Sequence, residues 1–135
     1  MQDILDKAKQ WLNSTFDAET QTEIQELINN NPDDLADRFY KDMEFGTGGM
    51  RGVMGAGTNR INKYTLGRAT QGLSNYLIEN IKKEQLSVVI AYDCRHNSKK
   101  FAKIVADVLS ANNDGATALM FAAHFGHADC LQLLL

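Results

Sequence analysis

Residues 45–60 constrain this chain most: Phe45-Gly46-Thr47-Gly48-Gly49-Met50-Arg51-Gly52-Val53-Met54-Gly55-Ala56-Gly57-Thr58-Asn59-Arg60 holds six of the ten glycines beside two arginines. Glycine tolerates positive φ and lets a ligand approach the main chain, so successive amides can turn toward an anion. Arginine adds a permanently charged planar fork that grips phosphate at two points. A loop that merely turns a tight corner would show the same glycines, and from composition both readings stand.

The common nucleotide loops do not fit. Gly52 and Gly57 have the outer spacing of a P-loop, but Thr58-Asn59 stands where Lys-Ser/Thr should follow. Gly46-Thr47-Gly48 opens like a dinucleotide fingerprint, yet Arg51 occupies the place of its third glycine. A net charge of -3 argues against bulk nucleic-acid binding, while 44% hydrophobic and 23% charged residues suit a soluble globular chain of about one domain. No apolar run reaches the ~20 residues of a membrane span, and the start of the chain lacks a signal-peptide pattern, so a cytoplasmic location is expected. Cys94 and Cys130 lack metal-site spacing and are expected to be reduced, packed thiols.

Along the chain, residues 3–13 place Ile4, Leu5, Ala8, Trp11 and Leu12 on one helical face. Asp17 is placed to cap a second helix that buries Ile24, Leu27 and Ile28. Pro32 suits the first turn of a short third helix with Leu35 and Phe39 inward. The charges at Glu23, Glu26, Asp33, Asp34, Asp37 and Arg38 read as solvated faces. After the glycine loop, Asn62–Ile81 reads as a helix with Leu66, Ala69, Leu73, Tyr76, Leu77 and Ile81 on its apolar stripe, and with Gly67 and Gly72 allowing close packing. Lys82, Lys83 and Glu84 supply a polar turn. Ser87–Tyr92 has the continuous apolar, β-branched pattern of a buried parallel strand. It runs into Asp93-Cys94-Arg95-His96-Asn97-Ser98 and then a helix bearing Phe101, Ile104, Val105, Val108 and Leu109, capped by Asn97 or Ser98. Strand, turn and helix form an α/β unit, and ligands of such sheets gather beyond the carboxyl ends of strands, where Arg95 and His96 stand. Ser98 is better placed as a cap than as a nucleophile, and His96 reads as a structural or supporting histidine.

The stretch from Phe45 to Gly52 resembles the Phe-Gly-Thr-(Ala/Ser/Gly)-Gly-x-Arg-Gly opening of the phosphohexomutases, the phosphoglucomutases and phosphomannomutases. Met54–Asn62 is similar to the phosphopentomutase-like and bacterial phosphoglucomutase branch, and Tyr92–Ser98 followed by Phe101-Ala102 resembles a strand end and helix start of the same family. The resemblance covers about residues 8–112. It implies an α/β fold, a partial domain I with a short sheet and packing helices. It also implies phosphoryl transfer between the C1 and C6 oxygens of a hexose, through a phosphoserine and glucose 1,6-bisphosphate, with Mg2+. Thr47, Gly49 and Arg51 would then line the active site, Arg51 touching the sugar bisphosphate or phosphoserine, with Arg95 a supporting charge. The family's Thr-Ala-Ser-His-Asn-Pro phosphoserine loop and Asp-Gly-Asp-x-Asp-Arg magnesium loop are not among the 135 residues, so no catalytic or metal residue is assigned.

From Asp114 to Leu135 the sequence resembles most of one ankyrin repeat, Asp-Gly-x-Thr-x-Leu-x-x-Ala-Ala-x-x-Gly-His. The expected form is a helix-turn-helix with Leu119, Ala122 and Ala123 inside the first helix, Gly126 at the turn, and Leu131 and Leu134 inside the second; His124 and His127 read as surface and turn residues. The expected division is therefore 1–112, a truncated α/β/α domain I, and 113–135, a partial repeat, joined in a chimeric or truncated gene product. A single repeat cannot bury its own apolar face. Two functions follow: a phosphohexomutase fragment that takes hexose phosphate yet lacks turnover alone, or a non-catalytic module that binds a protein partner through the ankyrin-like tail. Neither needs nucleic acid or membrane.

Overall fold

The computed structural model describes residues 2–81, 87–112 and 117–122. The chain forms two compact units, the first running to Thr65 and the second from Leu66.

The first unit begins with α1 (Gln2–Gln10), α2 (Ala18–Asn30) and α3 (Pro32–Phe39). The Asp17 carboxylate accepts the Thr20 amide and caps α2, while Asn31 caps α3 through the Asp34 amide, with Pro32 in the first turn. Ala8, Ile24, Leu27, Leu35 and Phe39 are buried together, joined by Trp11. Trp11 stacks on Phe16 with ring centres 4.6 Å apart and meets Phe39 and Tyr64 edge-on, each at 5.6 Å. These helix faces are as expected, although α1 ends at Gln10 and Trp11 projects from the following turn.

The charged faces of α2 and α3 depart from expectation. Arg38 bonds Glu23 and Asp34, and Arg60 bonds Asp34 and Asp37, with the two arginine side chains only 15% and 8% exposed. Glu23, Asp34, Asp37 and Arg38 are therefore not simply solvated. The returning glycine loop bonds to Glu23 and Arg38 through Ala56, and to Asp34 and Asp37 through Arg60.

In the second unit, α4 (Lys63–Asn80) continues from the first, followed by β1 (Ser87–Tyr92), α5 (Ser98–Asn112) and β2 (Thr117–Ala122). The two strands pair in parallel, from Ser87 opposite Thr117 to Tyr92 opposite Ala122, with α5 as the crossover. The short sheet with packing helices is the expected architecture. Residues 117–122 nevertheless form a strand where an ankyrin helix was expected. The local sequence Thr-Ala-Leu-Met-Phe-Ala suits either state, and the open edge of β1 supplies a full ladder of backbone partners that decides it. The expected second repeat helix with Leu131 and Leu134, the turn at Gly126, and Ala123 of the expected first helix lie outside the described residues, as do His124, His127, Cys130 and the turn at Lys82-Lys83-Glu84.

Two further expectations are corrected. The apolar stripe of α4 is not its buried face: Thr70 and Ser74 are buried, whereas Leu73, Tyr76 and Ile81 are exposed. Gly67 approaches Val108, and Gln71 exchanges amide hydrogen bonds of 2.8 and 2.7 Å with Asn112. Positions 67, 70, 71 and 74 thus form one small, polar helical face turned to α5. Gly67 has the packing role expected of it, but Gly72 has open space around it. β1 is covered on one side only, with Ile90 and Tyr92 toward Ala102 of α5 and Val89 on the exposed side. The continuous apolar run did not distinguish one covered face from two.

Candidate functional site

The glycine stretch folds as two arcs with different duties. In the first, Gly46 and Gly49 exchange backbone hydrogen bonds of 3.3 and 2.9 Å, closing a tight turn with Thr47 and Gly48 at its tip. Gly49 sits at φ +88°, the left-handed region that favours glycine. Arg51 folds back over this turn: a Cβ on Gly48 would lie 2.7 Å from an Nη of Arg51, so the missing side chain makes room for the guanidinium. Arg51 is exposed and makes no hydrogen bond or ion pair among the described residues. Beside it opens a cleft of about 450 Å³ lined by Lys41, Met43, Glu44, Gly46, Gly48, Gly49, Arg51 and Asn59.

The second arc is locked. The Arg38 guanidinium donates to the Ala56 carbonyl at 3.2 Å, and the Ala56 amide donates to the Glu23 carboxylate at 3.2 Å. Arg60 donates to Asp37 at 2.6 Å and to Asp34 at 3.3 Å. Asn62 ties the arc to the next helix: its Nδ2 donates to the carbonyls of Gly55 and Gly57, both at 2.9 Å, while its Oδ1 accepts the amides of Tyr64 and Thr65 and caps α4. The Arg38 hydrogen bond holds the Asp34 carboxyl below its ordinary range. Burial works against the Arg38 charge, and its bonds to Asp34 and Glu23 outweigh that burial and raise its pKa. Chemically, then, the two arginines of the motif are opposites: Arg60 neutralises the protein's own carboxylates, and Arg51 has its charge to offer.

Gly49 and Arg51 line the cleft in the first unit, Thr47 stands at the tip of the turn outside that lining, and Arg95 belongs to the second unit. The amides of Gly46 and Gly49 are spent on each other, so the anion cradle expected of successive amides is narrower than the glycine count suggested. Arg95 follows β1, its Nε donating to Asp93 at 2.7 Å, with its side chain 84% exposed. The Arg95 amide, followed by its side chain and the Ser98 hydroxyl, holds the Asp93 carboxyl below its ordinary range. Ser98 accepts the Asp93 amide at 3.1 Å and starts α5, in keeping with a bracing role. His96 is exposed. Cys94 is a free thiol and is exposed, not packed, because it sits in the turn between β1 and α5.

Lys41 and Glu44, which also line the cleft, had not been singled out. They precede the glycine motif and share no periodicity with it. The Arg38–Asp34 pair did carry a signal, an i,i+4 spacing of opposite charges on a helix. Among the described residues no group of three or more His, Cys, Asp or Glu could hold a metal ion. Asp34 and Asp37 are already taken by Arg60. The residues present therefore do not fit the magnesium that the family resemblance implied.

Residues 42–123 match the phosphoglucomutase/phosphomannomutase alpha/beta/alpha domain I, and residues 114–135 match the ankyrin repeat, the first match taking in β2. The chain belongs to the phosphoglucomutase/phosphomannomutase family. It is 42% identical over 73 residues to a phosphoglucomutase of Staphylococcus haemolyticus, covering 54% of this chain and 13% of that protein. A phosphoglucomutase of Staphylococcus aureus strain bovine RF122 / ET3-1 is 43% identical over 74 residues, covering 55% and 13%. That of strain USA300 is 43% identical over 72 residues, covering 53% and 13%. The chain thus spans about an eighth of the length of these relatives, 13% in each case. No solved structure matches it significantly. No helix among the described residues is long and apolar enough to cross a membrane.

Proposed function

We propose that the chain carries the substrate-phosphate loop of a phosphohexomutase and binds a hexose phosphate there, acting in the cytoplasm on carbohydrate metabolites. The observation that carries this reading is the Arg51 guanidinium, which has no hydrogen bond or ion pair among the described residues and is laid over Gly48 at the edge of the cleft, while Arg60 is consumed by carboxylates. Arg51 would take a phosphate oxygen pair, with the Thr47 hydroxyl at the tip of the same turn and open space beside Gly49. Glucose 1,6-bisphosphate is the ligand of choice for the test, since the relatives that the chain matches are phosphoglucomutases.

Isomerisation is not expected of these residues alone. Phosphoryl transfer requires a nucleophile and neutralisation of the spread phosphate charge. The 135 residues contain no Ser-His-Asn-Pro loop, and Ser98 is engaged with the Asp93 amide. Calorimetric titration should show glucose 1,6-bisphosphate binding that Arg51→Ala removes, with no conversion of glucose 1-phosphate by purified protein. Binding that survives Arg51→Ala would overturn the site, and conversion would overturn the lack of turnover. The match of residues 114–135 to the ankyrin repeat supports a second reading, in which a protein partner docks on that tail. Pull-down of one partner that is lost on removing residues 114–135, with no sugar-phosphate binding, would favour it.

A further inference from the structure

The cleft beside Arg51 contains a second cation that lies outside the glycine motif. Lys41 lines the same cleft, and it makes no ion pair among the described residues. Its backbone is fixed to the locked arc, because the Lys41 carbonyl accepts the Thr58 hydroxyl at 2.7 Å and the Met43 amide donates to the Thr58 carbonyl at 2.8 Å. Its ammonium lies 5.5 Å from the centre of the Tyr40 ring, an aromatic contact that leaves the charge unneutralised. The Asn59 side-chain amide, also at the cleft, already donates to the Asp37 carbonyl at 2.9 Å. The charged donors left to the cleft are therefore Lys41 and Arg51, against the single carboxylate of Glu44.

We propose that Lys41 is a second binding residue of this site, and that it and Arg51 take one phosphate monoester between them. The proposal rests on the reading that the Arg51 loop binds sugar phosphate. Arginine supplies a flat two-point grip and lysine a compact point charge, so a tetrahedral dianion can accept from both at once. Glu44 opposes any anion, and a dianion gains more from the two cations than a monoanion does.

The test follows the Thr47–Arg51 amides by NMR during titration with inorganic phosphate and with glucose 1-phosphate. Wild type, Lys41→Met, Lys41→Arg, Arg51→Ala and Lys9→Met are compared, Lys9 lying on α1 outside the cleft. Lys41→Met should weaken both ligands about fivefold, as expected for one exposed charge pair. Lys41→Arg should recover most of the loss, and Lys9→Met should leave binding unchanged. Unshifted amides elsewhere in the first unit establish that each variant is folded. Wild-type affinity in Lys41→Met, alongside lost binding in Arg51→Ala, overturns the role of Lys41 and leaves that of Arg51 standing. An equal loss in Lys9→Met overturns it as a general charge effect, and absence of binding by wild type overturns both readings.

Discussion

Replacing Arg60 by alanine should separate the structural arginine of the loop from the binding one. Arg60 is 8% exposed and donates to Asp37 and Asp34, at 2.6 and 3.3 Å, and to the Asn59 carbonyl at 3.1 Å. Truncation removes these donors and strips the charge that holds the 54–62 arc against α3. A buried pair that loses one partner costs roughly 3–5 kcal/mol. Here Asp37 is 62% exposed and can return to water, and Asp34 keeps Arg38, so the loss should be smaller, about 2–3 kcal/mol. Arg51→Ala, at an exposed side chain with no partner among the described residues, should stay within about 0.5 kcal/mol of wild type. The assay is urea unfolding followed by Trp11, the single tryptophan, whose ring is buried against Phe16, Phe39 and Tyr64 and so reports on the first unit. With a urea slope of about 1 kcal/mol per molar for so small a unit, the Arg60 variant's midpoint should fall by roughly 2–3 M. Coincident midpoints for wild type and Arg60→Ala, or an equal fall in Arg51→Ala, would refute the division of labour.

Other outcomes follow from the same contacts. Gly57 sits at φ +126°, and a Cβ there would lie 2.8 Å from the Arg38 carbonyl oxygen, so Gly57→Ala should cost about 2–3 kcal/mol in the Trp11 assay. Gly72→Ala, in open space within α4, should instead raise the melting temperature followed by circular dichroism, gaining roughly 0.5–1 kcal/mol. The Asp17 carboxyl is held well below the ordinary aspartate range, first by Lys63 and then by the Tyr64 hydroxyl, and Asp34 is lowered by Arg38. A carboxyl whose folded pKa is depressed adds stability above its unfolded pKa and loses it as pH falls toward the folded one. The first unit should therefore weaken as pH drops below the ordinary aspartate range, about 3.9, and Asp17→Asn should be less stable at neutral pH with a flatter acid limb. An unchanged acid limb in that variant would count against the assignment.

The first unit was largely legible because local rules govern it: Asp17 and Pro32 mark helix starts, and Ile24, Leu27, Leu35 and Phe39 recur at helical spacing. What was not legible depends on segments distant in sequence. Glu23 and Arg38 acquire their role only when Ala56 returns to meet them, and Asp34 and Asp37 only when Arg60 does. The same holds for α4, whose buried face is polar because Gly67, Gln71 and Ser74 meet or flank α5, and for β2, whose sequence is decided by the edge of β1. Of the candidate site, the motif singled out Thr47, Gly49 and Arg51, of which Gly49 and Arg51 line the cleft, but it treated both arginines alike. Their difference lies in burial and partners, which a motif does not encode.

The most direct test of the Arg51 loop as a phosphate site is an amide-resolved NMR spectrum of the purified chain with and without glucose 1,6-bisphosphate. Shifts confined to the Thr47–Arg51 turn and its cleft, absent in Arg51→Ala and leaving Ala56 and Arg60 unmoved, are the expected result. Dispersed spectra that ignore the ligand would contradict it and make the turn a structural corner.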